Sequence, residues 1–517
     1  MIRSNLMISQ TTLAVLVSAV LAGCAVGPDY VGPKADLAPF HNFSAVAAKD
    51  GTSAPHLDAW WTGFNDPLLV TVMQRALTQN LDLAAALARV RQSRAAASGA
   101  GAELLPTVDL NGSATYDHQS LRSATGEIDS GIPGFTRGFH EYSIGPTASW
   151  EIDLFGGARR GAAASRDEAQ AAEADQAGTR VIVAADVADA YLQIRGYQAR
   201  LAVANDQIKN DEHLLQLVQN RYQAGSATGR EIAQADALLK QARASIPALR
   251  IGLEQQLNRL DVLMGAQPGT YAAELSTMQE IPSVPVIPPN NQPVDMLRRR
   301  PDIIAAERRL AASNERIGAA ISDYYPKLSL SGAIGFDSLQ PGHMFTSSAF
   351  QAVGGPSLRW RLFDFGKVNA EVAQAKGANA ESLAVYRQAV LHAAEDVENA
   401  LMIFTQTQVR VSEIQDQVQA LTKARDLSEQ AYRAGSITLT DVLDADTQLL
   451  TARDELDANR ANAARAGVGV FRALGGGWGS EADSAATNAS RTGSSSTANN
   501  KEIEVTFSVS NEKVVSR

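Results

Sequence analysis

The segment Arg221-Tyr-Gln-Ala-Gly-Ser226 returns 210 residues later as Ala431-Tyr-Arg-Ala-Gly-Ser436. The same shift relates further pairs on either side: Gly145-Pro146 and Gly355-Pro356, Trp150 and Trp360, Gly156 and Gly366, and Gly265 and Gly475. Self-similarity at a fixed interval indicates that one structural unit occurs twice. The chain therefore contains a tandem internal repeat, with copies at residues 63–267 and 293–478.

A proline-rich linker, residues 268–292, separates the two copies. Upstream the shift becomes 220, which maps Asp82 onto Asp302, so the first copy carries ten additional residues between Pro106 and Gly145. Loops tolerate such insertions, and we predict a longer loop in the first copy. Each copy reads as helix, strand, loop, strand, very long helix, tight turn and helix, which predicts an α+β fold class.

Each copy contains two runs in which apolar and polar residues alternate. The apolar members are Val108, Leu110, Ala114 and Tyr116; Tyr142, Ile144, Ala148, Trp150, Ile152 and Leu154; Leu328, Leu330, Ile334 and Phe336; and Leu358, Trp360 and Leu362. A period of two indicates a strand whose faces meet different surroundings. A half-buried sheet in a soluble domain gives the same pattern. The length of about ten residues favours a tilted transmembrane β-strand.

Four such strands cannot close a barrel, and an open sheet edge in lipid leaves backbone groups unsatisfied. Two chains would supply eight strands, whose interior side chains fill, whereas three would supply 12 strands and leave a passage. We therefore predict a trimeric 12-stranded barrel in a membrane protein. Five aromatic residues are candidates for its membrane-interface girdle: Tyr116, Tyr142, Trp150, Phe336 and Trp360.

The segment from Ala158 to Tyr222 contains no proline and is rich in alanine. A helix of this length would extend on the order of 100 Å, which is typical of a coiled-coil wall and not of a globular core. The apolar residues Leu201, Ala204, Ile208, Leu215, Val218 and Tyr222 fit an a/d frame, and Asp211 is the exception. Further along, Pro247 lies within the returning helix and predicts a kink or break there.

Both long helices end at a glycine, and a second helix begins within a few residues. Gly225 and Gly435 suit the left-handed position that ends a helix. The candidate N-caps of the returning helices are Ser226, Thr228, Ser436 and Thr438. The sequence therefore predicts two helical hairpins.

The first 23 residues have the features of a targeting segment. Arg3 precedes an apolar stretch too short to span a bilayer comfortably, and the stretch ends in Leu21-Ala22-Gly23-Cys24. Small residues directly before the only cysteine resemble a bacterial lipoprotein box. We predict that residues 1–23 are a signal peptide, that Cys24 is lipidated, and that residues 24–62 form a lipid-anchored N-terminal segment.

Composition and motifs exclude several function classes. A net charge of −10 argues against a nucleic-acid partner, because phosphate binding needs a basic surface. Seven histidines without a zinc-binding motif and a single cysteine provide no metal site, and neither a nucleophile elbow nor a phosphate loop is present. We therefore predict no catalytic residue, no metal and no cofactor. Residues 479–517 form a low-complexity tail, in which 480–500 are predicted to be disordered.

Several motifs in order along the chain resemble the TolC-type outer-membrane efflux proteins, in the lipoprotein branch that is NodT- or OprM-like. The matching motifs are Cys24-Ala-Val-Gly-Pro-Asp-Tyr30, Trp60-Trp61, Phe64-Asn-Asp-Pro-Leu68, Asp153-Leu-Phe-Gly-Gly157 with Phe363-Asp-Phe-Gly366, Arg300-Pro-Asp-Ile303, Ala306-Glu307 and the two Tyr-x-Ala-Gly turns. Together they cover residues 24–478. Each motif alone is weak, whereas the whole set is specific.

The resemblance implies a homotrimeric duct of a tripartite efflux system. A 12-stranded barrel crosses the outer membrane and continues as a long α-helical barrel in the periplasm. Gly225, Ser226, Gly435 and Ser436 would lie at the periplasmic tip, facing a periplasmic adaptor protein. Beyond it stands an inner-membrane transporter, expected to be of the RND type. The linker and the terminal segments would form an equatorial belt, and Cys24 would anchor the protein in outer-membrane lipid.

The resemblance also implies a gate at the tip, built in the family from a leucine and an aspartate. The aspartate matches Asp444, whereas the leucine position falls on Thr440, with Leu439 one place earlier, and the family's arginine is Thr447 here. Asp441, Asp444 and Asp446, which lie within two helical turns, would repel one another in a trimer. They indicate either a cation-sensitive constriction or a solvated face. The expected gate residues are thus Leu439, Thr440, Asp441 and Asp444.

Two other functions fit part of this pattern. An outer-membrane duct for metal or protein export would share the architecture, although the lipoprotein box and the Cys24–Tyr30 motif resemble drug-type members more closely. A lipid-anchored structural stalk or adhesin would have the helices without a closed barrel. No segment of the sequence encodes the transported substrate.

Overall fold

The computed structural model describes residues 25–33, 38–42, 55–287 and 299–479. After a 3-10 helix at Leu57–Phe64, the elements are α1 Pro67–Gln79, α2 Leu81–Ala102, β1 Thr107–His118, α3 Ala124–Asp129, β2 Gly138–Ile152, α4 Gly157–Gln223, α5 Gly229–Leu263, α6 Ala272–Leu275, α7 Pro301–Ser322, β3 Lys327–Ser338, β4 Phe350–Arg359, α8 Lys367–Arg433 and α9 Leu439–Ala473. The repeat is visible directly, because α2-β1-β2-α4-α5 and α7-β3-β4-α8-α9 follow the same order.

Two helices of 67 residues each, α4 and α8, run for on the order of 100 Å. Both begin after a glycine with positive φ, Gly156 and Gly366, and neither contains proline. The predicted long helices are confirmed, and their ends agree with the 210-residue shift. No helix among the described residues is both long enough and apolar enough to cross a membrane.

Each long helix turns back through a glycine. Gly225 has a φ of 74° and Gly435 a φ of 75°, a conformation that L side chains rarely adopt. The amide of Ser226 donates to the carbonyl of Arg221 at 2.7 Å, and that of Ser436 donates to Ala431 at 2.9 Å. These bonds satisfy carbonyls at the helix ends that would otherwise lack donors.

The returning helices α5 and α9 begin with a capping box, in which the cap residue and a carboxylate three residues later bond each other's backbone. Thr228 pairs with Glu231 and Thr438 with Asp441. Of the four candidate N-caps, the two threonines fill this position. The turn residues 224–228 and 434–438 together are called the tip below.

The four strands form one antiparallel sheet in the order β1-β2-β3-β4. The strands have 12, 15, 12 and 10 residues, which confirms the predicted length. Three details differ from the prediction. The strand β2 ends at Ile152, before the predicted Leu154, and β4 begins at Phe350 and ends before Trp360. The first loop contains the short helix α3. Ser123 caps α3, since its hydroxyl accepts from the Gly126 amide, and local bonds of this kind leave no periodic apolar signal in the sequence.

The apolar core lies between helices, near the middle of the long helices. One cluster joins Trp60 and Phe64 to the buried face of α4 and to Phe471 of α9, and the Trp60 and Phe471 rings stack at 5.3 Å between centroids. A second cluster joins α7, α8 and α9. A third, smaller cluster lies at the tip. The core thus ties the second repeat to the first along most of the helical length.

Two sequence predictions about the helices need correction. Pro247 does not break α5, which is helical from Gly229 to Leu263. The sequence run Arg298-Arg299-Arg300 before Pro301 predicts a solvated or belt-facing cluster, yet Arg300 is 9% exposed and pairs with Asp302 and Asp396. Its guanidinium also donates to the carbonyl of Ala473 at 3.0 Å, so it joins the start of α7 to the end of α9.

Candidate functional site

The register of the sheet places the even-numbered residues of all four strands on one face. Thr107 pairs with Ser149, Tyr142 with Ser338, and Lys327 with Arg359, so a residue and its partner always share parity. Because side chains alternate along a strand, parity decides the face. The even face carries the apolar residues: Val108, Leu110, Tyr116, Tyr142, Ile144, Trp150, Leu328, Leu330, Ile334, Phe336, Phe350 and Leu358.

The odd face is mainly polar, and its large apolar exceptions are Phe139 and Val353. Asn111 donates to the Thr147 hydroxyl at 2.8 Å, and the Ser113 and Ser143 hydroxyls are 2.8 Å apart. These bonds run across the β1–β2 pair, whose polar side chains therefore satisfy one another. A sheet with one apolar and one hydroxyl-rich face fits between lipid and water.

The five predicted girdle aromatics fall at two levels, four of them in the sheet and Trp360 directly after the end of β4. Trp150 and Trp360 lie at the end from which the long helices start, and their indole nitrogens donate to the carbonyls of Leu104 and Tyr324 at 3.0 Å each. Tyr116, Tyr142 and Phe336 lie toward the loop end. Trp150 and Tyr142 are eight residues apart in β2, about 26 Å along the strand. That separation is comparable to the apolar band of about 25 Å in outer-membrane barrels.

The segment after Cys24 is fixed against the helix end of the sheet. The amide of Val26 donates to the Phe155 carbonyl at 3.1 Å. Arg160 pairs with Asp29 at 2.8 Å and with Glu315 at 2.9 Å. Ala25 therefore lies near the level of Trp150 and Trp360, whereas Cys24 and residues 1–23 lie outside the described residues.

At the tip, the two hairpins share one apolar cluster. Its buried members are Leu214, Val218, Ala235, Tyr432, Leu439 and Val442. Arg221 lies over the Tyr432 ring, 4.3 Å from its centroid, and donates to the Tyr432 carbonyl at 2.7 Å. Gly225, Ser226, Gly435 and Ser436 are all exposed, so the predicted adaptor-contact residues lie side by side on the outer surface of the tip.

The predicted gate residues and the neighbouring Asp446 point in several directions. Leu439 is 1% exposed and packs inside the tip cluster, whereas Thr440 and Asp444 are exposed. Asp441 caps α9, and its bonds to Thr438 lower the pKa of its carboxyl. Asp446 is buried at 3% exposure. The acids Asp441, Asp444 and Asp446 therefore do not form one solvated face.

Asp446 belongs to a polar cluster that joins α4, α8 and α9. Gln207 donates through Nε2 to Asp211 Oδ1 at 2.8 Å and to Asp446 Oδ2 at 2.5 Å. Arg425 Nε lies 3.3 Å from Asp446 Oδ1. Burial first, and then contact with Asp446, raise the pKa of Asp211 to about 7. The only signal of this cluster in the sequence is Asp211, which interrupts the apolar frame of α4.

A second buried polar network lies where the chain crosses the middle of α4. Asp66 accepts from the amides of Leu68 and Leu69 and from the Tyr191 hydroxyl. Arg195, which is 0% exposed, donates to the Tyr191 hydroxyl at 2.8 Å and to the Thr277 carbonyl at 2.7 Å. The network holds α1 and the segment after α6 against α4. This is where an equatorial belt was expected, and sequence reasoning missed both Tyr191 and Arg195.

The family model for outer membrane efflux proteins matches residues 72–266 and 293–476. The chain belongs to that family. The two matched stretches coincide with the two structural repeats, so each repeat carries the family's elements. As a member of the family, the chain is an outer-membrane efflux channel protein.

Individual efflux proteins are similar over nearly their full length. The pyoverdine export outer membrane protein OpmQ of Pseudomonas aeruginosa is 32% identical over 83% of this chain and 90% of its own. Nodulation protein T of Rhizobium leguminosarum bv. trifolii is 30% identical over 85% of this chain and 91% of its own. The solved structure of the outer-membrane channel OprN superposes with a TM-score of 0.79 at 34% identity, covering 88% of this chain and all of OprN. The fold predicted from the sequence is confirmed.

Proposed function

We propose that three copies of this chain close into a 12-stranded outer-membrane barrel, continued by a helical barrel into the periplasm, and that this duct is the exit channel of a tripartite efflux pump. The observation that carries the proposal is the sheet with an apolar and a hydroxyl-rich face. Among the described residues, β1 and β4 each have one edge without a partner strand. In lipid each such edge would cost several kcal/mol per unsatisfied group, so β4 of one copy pairs with β1 of the next.

The helices support the same assembly. On α8 a series of apolar side chains stays exposed in the single chain: Val385, Leu391, Met402, Ile403, Val409 and Leu427, at 45–61%. A long apolar helix face without a partner indicates an interface. Another copy of the chain covers it, because the first repeat of that copy carries α2 and α5, the equivalents of the helices α7 and α9 that pack on α4.

The tip contacts the periplasmic partner. Gly225, Ser226, Gly435 and Ser436 form two adjacent exposed turns, a surface suited to the helical hairpin of an adaptor protein. The inner-membrane transporter, of the RND type, supplies energy and selects the substrate. The name of one relative supports a small organic molecule as the cargo, since OpmQ is named for pyoverdine export.

The duct is anchored by lipid at Cys24. Ala25 lies beside Gly156 and near the level of Trp150 and Trp360, the end of the sheet where the barrel meets the periplasm. Acyl chains on the preceding residue reach the inner leaflet of the outer membrane without a spacer. Replacing Cys24 by serine would remove the anchor and leave the barrel.

Of the expected gate residues, Thr440, Asp441 and Asp444 are exposed. Asp441 caps α9, so we assign Thr440 and Asp444 to the lumen at the tip. Three copies of Asp444 would form an acidic ring. Such rings set cation conduction in channels.

The test combines the mass of the protein in detergent with single-channel conductance in planar bilayers. We expect the mass of three chains and a small conductance in the wild-type protein. Replacing Asp444 by alanine removes both the charge and the volume of three side chains at the constriction, so the conductance should rise about twofold or more. The matched control is Asp206→Ala, an exposed acid of α4 away from the tip, which should leave conductance unchanged.

A trimer whose conductance does not change in Asp444→Ala would support the duct and contradict the assignment of the acidic ring to the gate. A monomer that never conducts would contradict the duct and leave a lipid-anchored stalk.

A further inference from the structure

The buried carboxyls of Asp211 and Asp446 form a contact that the channel function does not require. They are 1% and 3% exposed, and both accept a hydrogen bond from the same nitrogen, Gln207 Nε2. One amide nitrogen thus holds the two carboxyl groups side by side. Asp211 lies on α4 of the first repeat and Asp446 on α9 of the second, so the contact joins the two hairpins.

The charges around this pair do not balance. The element α8 supplies one guanidinium, Arg425, which lies 3.3 Å from Asp446 and is shared with Glu429 at 2.8 Å and Asp426 at 3.4 Å. On α5 the nearby base Arg243 is paired with Glu212 at 2.7 Å. One guanidinium therefore faces several carboxyl groups, and a proton on the buried pair reduces the excess negative charge.

The Oδ2 atom of Asp211 shows where that proton belongs. It is buried and, within the described part of the chain, receives no hydrogen bond from any donor. A carboxylate oxygen without a donor in a dry site is costly, whereas a protonated carboxyl group donates to its neighbour. Two adjacent carboxyl groups commonly retain one proton between them for this reason.

We propose that Asp211 and Asp446 share one proton, that this proton latches the second hairpin onto α4, and that its loss loosens the tip and favours an open duct. The inference rests on the proposed function, since opening has a consequence only in a duct. The latch is separate from the tip cluster, because Asp211 precedes Gly225 by 14 residues, about 20 Å along the helix.

The direction of the pH dependence follows from the raised pKa of Asp211, which is about 7 in the folded chain. A carboxyl group with a raised pKa binds its proton more tightly in the latched state than in the released state. The shared proton therefore stabilises the latched state fully below the ordinary pKa of an aspartate. This stabilisation is lost as the pH rises through about 7. Acid closes the tip, and neutral to alkaline pH releases it.

The first test is conductance at pH 5.5 and pH 7.5. If the pKa of Asp211 returns to its ordinary value on release, the ratio of open to closed time of the wild type should increase more than tenfold between these pH values. Asp211→Asn cannot ionise, and its amide still donates to Asp446, so the ratio should stay low at both. Asp206→Asn, the same change at an exposed position of α4, should behave as the wild type.

The second test is amide hydrogen exchange of the hairpins at the same two pH values, comparing each variant with the wild type at equal pH. We expect the wild type to exchange faster than Asp211→Asn around residues 205–215 and 440–450 at pH 7.5 and equally at pH 5.5. Asp446→Asn removes the partner carboxyl group but leaves Asp211 buried, so it should reduce the pH dependence. It is the second variant in case Asp211→Asn does not fold.

The two readouts separate this inference from the duct itself. A protein that never conducts but shows the exchange difference would support the latch and contradict the duct. A duct that conducts with the same pH response in the wild type and in both asparagine variants would overturn the latch and leave the duct. Equal exchange ratios at both pH values would overturn it as well.

Discussion

The two long helices have equal length and equivalent positions in the repeat, yet their surroundings differ. The buried residues of α4 outnumber those of α8 by more than two to one. In α4 the partners are α2 and α5 of its own repeat and α7 and α9 of the other, whereas α8 packs mainly on α7 and α9. What α8 lacks are the partners that correspond to α7 and α9 on α4. These are α2 and α5 of the following repeat, which only another copy of the chain can supply.

This difference shows how duplication produces a ring. The long helix of the first repeat packs on the second repeat of the same chain. The long helix of the second repeat can pack on a following repeat only in another chain. An internal repeat with an unsatisfied second half therefore encodes assembly as well as fold.

The largest effect is expected from moving a residue of α8 into α4. Glu395 of α8 corresponds to Ala185 of α4; the glutamate side chain is 64% exposed, whereas the alanine is 4% exposed. Ala185→Glu would bury a carboxylate among apolar residues and destabilise the fold by about 3 kcal/mol or more. Glu395→Ala should change stability by less than about 1 kcal/mol. Thermal unfolding of the two purified variants tests the pair, and similar losses would show that the helices have equivalent surroundings.

A smaller effect is expected at the open face of α8. Ile403 is 58% exposed in the single chain, and Ile403→Glu would place three carboxylates in the interface of the trimer. The fold of each chain should survive while assembly weakens by about 2 kcal/mol or more per interface. Leu121→Glu, in the loop between β1 and β2, is the control. Mass in detergent reports the result, and an intact Ile403→Glu trimer would remove this face from the interface.

The smallest effect is expected where the repeats agree. Gly225 and Gly435 have the same positive φ, and nothing within 4 Å would contact an added methyl group. Gly225→Ala and Gly435→Ala should each cost about 1 kcal/mol, from backbone strain alone. Thermal unfolding should show similar losses. A much larger loss at one turn would indicate that a neighbouring copy packs against it.

The parts of the fold with regular periodicity could be predicted from the sequence. Alternation gave the strands, the absence of proline and the alanine content gave the long helices, and glycine gave the turns. Lipidation of Cys24 in the lipoprotein box stays a prediction, as do the adaptor surface and the gate. The shared apolar face of the sheet also follows from this alternation, because the apolar residues of each alternating run are even-numbered and point to one side.

The polar contacts could not be predicted, because they join residues far apart in sequence. Asp446 was grouped with Asp441 and Asp444 because all three lie within two turns, yet helical rotation buries only Asp446. Arg300 and Arg195 look like ordinary surface arginines until the packing of α9 and of the segment after α6 surrounds them. Pro247 was expected to kink or break α5, and the break does not occur, because the helix continues past it. Tertiary packing decides such cases more than propensity.

The shared parity of the four strands restricts how the barrel can close. At the seam between copies, β4 of one chain and β1 of the next must also pair even with even, since otherwise one copy would turn its apolar face toward water. The stagger between copies can therefore change only in steps of two residues, about 7 Å. Intermediate offsets are forbidden, and by threefold symmetry the whole ring shifts by six residues at a time. The circumference and tilt of the duct are thus discrete quantities, which point substitutions on the strands cannot adjust gradually.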